Sequence, residues 1–84
     1  MAYKYNFHTM RKRVLAHFQT HHLDLQMHVT SKLLKDAGIF VSGFLACLKV
    51  MGEEPMNESE IDELIFREVV EYVKITIESG LVHA

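Results

Sequence analysis

The chain is poor in residues that punctuate or staple a fold, with one cysteine, one proline and four glycines in 84 residues. A single cysteine, Cys47, excludes a disulfide within the chain and a zinc site built from several cysteines, and it makes a reducing, cytoplasmic location the default expectation. So little proline and glycine excludes a linker-rich chain, and an apolar fraction of 49% excludes a disordered tail. Long hydrophobic runs are also missing. The longest nearly uncharged stretch, Ala37 to Leu48, falls short of the ~18 to 20 apolar residues that span a bilayer, so no membrane partner is expected. The opening MAYKYNFHTMRKR places aromatics ahead of its basic residues and has no apolar core segment, unlike a secretory signal.

Catalytic patterns are equally scarce. There is no glycine-rich phosphate loop, serine elbow or paired-carboxylate arrangement, and we expect neither an enzyme nor a bound cofactor. Cys47 sits inside the apolar run and is expected to be a small core residue, because a reactive thiol needs an exposed, electropositive setting. The acids of EEPMNESEIDE have an ordinary role as loop and helix-cap charges. The five methionines are expected to be core filler.

What is present points to one domain over residues 1–84. A chain of this size buries only about 60% of its unfolded surface and is marginal alone, so a homodimer is expected. The net charge of −2 hides a division. Residues 1–49 carry seven Lys or Arg against two acids, whereas residues 50–84 carry two against nine. The halves should attract within one subunit or between two, and the basic half could also meet phosphate or an acidic protein.

The periodicity is mainly helical. From about Thr9, residues Val14, Leu15, Phe18, Leu25, Val29 and Leu33 share one sector of a helical wheel with His22. A break is expected near His21 to Asp24, where Thr20 and Asp24 are both candidate N-caps. Leu33, Ala37, Phe40, Phe44, Cys47 and Met51 repeat at helix-packing intervals, with further apolar residues on the other faces, so this helix is expected to be central and buried. Gly38, Ser42, Gly43 and Ala46 form a small-residue strip suited to close helix approach, and Gly38 could instead divide the segment. Gly52, Pro55 and the pair Asn57–Glu60 mark the end of one helix and the capped start of another, expected from about Glu58 to Ser79 with Gly80 as its stop. Its apolar face is Ile61, Leu64, Ile65, Val69, Tyr72 and Val73, although YVKITI would also suit a strand. The fold class expected is a small all-α domain of three to four helices. The alternating opening, Tyr3, Tyr5 and Phe7 against Lys4, Asn6 and His8, adds a short N-terminal strand or an extended arm.

Four of the six histidines fall between His17 and His28. On a continuous helix His17, His21, Asp24 and His28 would form one stripe, and His17, His21 and Asp24 are the candidate metal ligands. One helix cannot close a tetrahedral site alone, since His17 and His28 would stand about 16 Å apart. We prefer the simpler alternative of a solvated helix flank, with His22 hydrogen-bonded at the edge of the core. A pH-sensitive interface is a third option.

Two functions follow. The first is a small regulatory protein that docks on another protein through charged helical surfaces, with contacts at Arg11, Lys12 and Arg13 and at Glu53, Glu54, Glu60 and Glu63. The second is nucleic-acid binding. A short alternating strand followed by a basic helix start resembles, over the first fifteen residues or so, the opening of ribbon-helix-helix repressors. That likeness implies a dimer with Lys4, Asn6 and His8 on base edges and Arg11, Lys12 and Arg13 on phosphate. The chain departs from that pattern in lacking a clear glycine turn between its helices and in its acidic second half, which would repel DNA.

Overall fold

The structure is a computed structural model describing residues 4–53 and 57–83, the last three by backbone alone. It is all-α, with no strand among the described residues. Helix α1 (Phe7–His21) leads into a 3-10 helix (Leu23–His28), followed by α2 (Ser31–Met51) and α3 (Glu58–His83). The three α-helices pack on one another, and the 3-10 helix rests on α1 and α3.

Each helix starts where a short polar side chain can replace a missing backbone partner. Asn6 Oδ1 accepts from the Thr9 amide at 3.1 Å, Thr30 Oγ1 from the Leu33 amide at 3.2 Å, and Asn57 Oδ1 from the Glu60 amide at 2.9 Å. These are N-caps, which satisfy donors the first helical turn leaves free. The expected caps Thr20 and Asp24 are not used: Thr20 bonds back to the Ala16 carbonyl, and Asp24 lies in the 3-10 helix. Helix α2 ends as expected at Gly52, whose φ of 73° only glycine adopts without strain. The Gly52 amide reaches the Lys49 carbonyl and the Glu53 amide reaches that of Leu48, the paired bonds of a Schellman ending.

The break after His21 is present, and its cause is packing. The tight turns from Leu23 to His28 bring Leu25 into the core, and Gln26 Nε2 donates to the Leu15 carbonyl of α1 at 3.1 Å. Phe18, Leu34, Ile65, Val14, Val41, Val69 and Val73 are fully buried at the centre. Burying side chains of this size stabilises by roughly 1.5 to 3 kcal/mol each.

Several expectations need correction. The N-terminal strand is absent: α1 begins at Phe7, residues 4–6 have no regular structure, and Tyr3 lies outside the described residues. The alternative of an extended arm holds at Tyr5, which packs on α2 with its hydroxyl donating to the Leu34 carbonyl at 2.7 Å. Gly38 does not divide α2, and Gly80 does not stop α3, which runs on to His83. Finally, α2 is not buried all round. Three helices give it neighbours on one side only, so Ile39, Val50 and Met51 stay exposed, and Cys47, expected in the core, is exposed with them. Met10 is core filler as expected, whereas Met27 and Met51 are exposed.

Candidate functional site

The residues singled out for charge do not form one surface. Arg11, Lys12 and Arg13 are consecutive on α1, and each step turns about 100° around a helix, so the three side chains diverge. Only Lys12 is well exposed. Arg13 is engaged inside the subunit: its Nη1 donates to both carboxylate oxygens of Asp62 on α3, at 3.0 and 3.1 Å, and its guanidinium lies 4.4 Å from the centre of the Phe66 ring. The half-buried Arg11 holds its Nε away from water, without a hydrogen-bond partner among the described residues. Glu53, Glu60 and Glu63 are exposed, while Glu54 lies outside the described residues. The attraction expected between the two halves is thus realised within the subunit by Arg13 and Asp62, an acid the sequence did not single out.

The nucleic-acid set is dispersed by the same loss of the ribbon. Asn6 caps α1, and His8 belongs to α1 with its ring 4.0 Å from that of Phe7. Lys4 is exposed just ahead of the helix. No alternating edge remains to present Lys4, Asn6 and His8 together, which corrects the arrangement that the likeness to ribbon-helix-helix repressors implied.

The histidine stripe is cut by the break. His17 and His21 stay on α1 and stack, with ring centres 4.4 Å apart, and the His17 ring meets the Phe66 ring edge-on at 5.7 Å. His21 Nδ1 lies 3.1 Å from the His17 carbonyl oxygen, which can only accept, so this contact calls for the tautomer with its proton on Nδ1. His22 is half-buried at the core edge, edge-on to Phe18 at 5.5 Å. Burial holds the His17 pKa below its ordinary 6.5, and the charges of His21 and His22 lower it further. Asp24 is exposed on the 3-10 helix, and among the described residues no three His, Cys, Asp or Glu side chains gather as a metal site requires.

The feature that sequence reasoning missed is apolar. Lys32, Ile39, Gly43, Ala46 and Val50 are exposed along the outer face of α2 at intervals of seven, four, three and four. Val50 is 88% exposed, Ile39 74% and Met51 64%. Toward α3 the strip opens on a hollow of about 310 Å³, floored by Phe40, Tyr72 and Ile75 and edged by Glu68 and Glu71. The Phe40 and Tyr72 rings stack across the two helices at 5.1 Å. A signal was available in the sequence: apolar residues around the whole circumference of α2 cannot all be covered by two neighbours. The described residues contain no helix long and apolar enough to cross a membrane, so this face is not part of such a span. Comparison with known protein families, with curated proteins and with solved structures returns no match to this chain.

Proposed function

We propose that this is a non-enzymatic interaction protein that works by docking on protein through the outer face of α2. The observation that supports it is the exposed strip of Ile39, Val50 and Met51, continuous with the Phe40–Tyr72–Ile75 hollow. Contiguous exposed apolar surface is unfavourable in water and marks contact sites when it is rimmed by polar groups, here Lys32, Glu68 and Glu71. Stacked aromatics beside aliphatic side chains are also the residue types that anchor interfaces. The charged residues Lys12, Glu53, Glu60 and Glu63 then act as a polar rim that guides approach, which is a lesser part than the sequence assigned them.

The test is photo-crosslinking in cells. A photoreactive side chain at position 50 is compared with one at the exposed Gln19 of α1. Covalent protein adducts at position 50 and not at position 19 are the expected outcome. No adduct at 50, or the same adducts at both, would remove the proposal.

A further inference from the structure

We infer that the occupant of this face is a second copy of the chain, seated antiparallel on α2 about a two-fold axis that passes close to Gly43, Ala46 and Cys47. This rests on the docking function proposed above and names its partner.

The first support is exposed apolar surface. Between residues 39 and 51 of α2, Ile39 is 74% exposed, Phe40 42%, Val50 88% and Met51 64%, and Ile75 of α3, 61% exposed, lines the hollow beside Phe40. A continuous apolar patch of this kind is what a subunit interface covers.

The second support is that the face complements itself. Its two ends are bulky, Ile39 and Phe40 at one and Val50 and Met51 at the other, separated by about 15 Å of helix. Its middle is small. A Cβ built on Gly43 would meet nothing within 4 Å, and Ala46 and Cys47 are exposed beside it. A two-fold axis through the small middle lets two α2 helices approach closely and lays Val50 and Met51 of each copy over the Phe40–Tyr72–Ile75 hollow of the other. That is the isologous relation by which most homodimers close.

The third support is charge, which selects the antiparallel sense. Lys32 stands exposed in the first turn of α2, on the same line as Val50, and Glu53 is exposed just beyond its last turn. Antiparallel seating brings the Lys32 end of one copy toward the Glu53 end of the other, and it opposes the two helix dipoles favourably. Parallel seating would put like ends together. Asp36 near the Lys32 end and the exposed Lys49 in the last turn, near the Glu53 end, offset part of this gain.

The experiment is light scattering during size exclusion on the purified full chain, up to about 100 µM, a range that covers the micromolar affinities of the weakest standard-size interfaces. The unmodified chain is expected to run at twice its chain mass. Val50→Lys and Ile39→Lys, each at a site exposed in the monomer and therefore harmless to the fold, should each halve that mass while the helical circular dichroism stays unchanged. Gln19→Lys, exposed on α1 and away from the face, should change nothing. A short bismaleimide should link the dimer through Cys47, and Cys47→Ala should abolish the link. A chain that is monomeric throughout, or a dimer that survives both lysine substitutions, would overturn the inference. In the crosslinking experiment at position 50, adducts of twice the chain mass agree with a second copy. Adducts only to a different protein leave the docking function standing and refute the dimer, and no adduct refutes both.

Discussion

The ring of Tyr5 lies on the backbone of Gly38: a Cβ built on that glycine would fall 2.6 Å from Tyr5 Cε1. The ring cannot easily yield, because its hydroxyl donates to the Leu34 carbonyl one turn earlier in α2. Gly38→Ala is therefore expected to destabilise the fold by about 1 to 2 kcal/mol, the overpacking cost exceeding the gain in helix propensity. Gly43→Ala, in the same helix with nothing within 4 Å, should instead stabilise by about 0.5 to 1 kcal/mol. Urea unfolding on the Val50→Lys background removes any contribution from self-association. In a Tyr5→Ala background, Gly38→Ala should turn stabilising; if it does not, the ring is not what makes this glycine necessary.

Arg13 and Asp62 join α1 to α3, but with side chains 33% and 49% exposed solvent screens the pair. A double-mutant cycle with Arg13→Met and Asp62→Asn should give a coupling of about 0.5 to 1 kcal/mol. It should shrink in about 1 M salt, where the screening length falls to about 3 Å. The cation–π contact with Phe66 is neutral on one side and should survive salt, so Arg13→Met should cost more than the coupling alone. A cycle energy of zero at low salt would place the attraction between the two halves elsewhere.

His17 makes stability depend on pH. Its folded-state pKa lies below the ordinary 6.5, first through burial and then through His21 and His22, while the ring facing it from α3 is the uncharged Phe66. The unfolded chain thus takes up the proton at a higher pH than the folded one. Stability is full above 6.5, falls as the pH drops through 6.5, and levels off below the lowered pKa. Urea midpoints measured from pH 8 to pH 5 should decline less in His17→Gln than in the unmodified chain. Parallel declines would show that His17 contributes nothing.

The caps are separable from packing because Asn6 and Thr30 are exposed. Asn6→Ala and Thr30→Ala should each cost about 1 kcal/mol, and Asn6→Asp should cost little, since a carboxylate also caps and favours the helix N-terminus. Thermal unfolding followed by circular dichroism reads all three. Were Asn6→Ala without effect, its bond to the Thr9 amide would not be holding the start of α1.

Sequence periodicity carried most of the helical architecture. The stops and starts at Gly52 and Asn57 were legible because they depend on local backbone chemistry, a glycine at positive φ and an amide within reach of the third residue on. The break after His21 was expected from the candidate caps Thr20 and Asp24, but neither is used, and it is the burial of Leu25 and the bond from Gln26 to the Leu15 carbonyl that hold it. Misplaced features were those whose local signal has more than one solution. Alternating aromatics at Tyr5 and Phe7 suit a strand only if an edge is there to receive them, and here the edge is a helix backbone at Gly38.

The amino-acid order by itself determined the end of α2 at Gly52 and the capped start of α3 at Asn57, because those interactions span three or four positions along the chain; the caps Asn6 and Thr30 were not expected. Only the tertiary structure decided which face of α2 meets water, which acid receives Arg13, and that Asp24 parts from His17 and His21. These outcomes depend on how many neighbours each helix acquires and at what rotation. An apolar residue is inside or outside according to what stands opposite it, and the same side-chain chemistry at Val41 and at Val50 leaves one sealed in the core and the other almost wholly exposed.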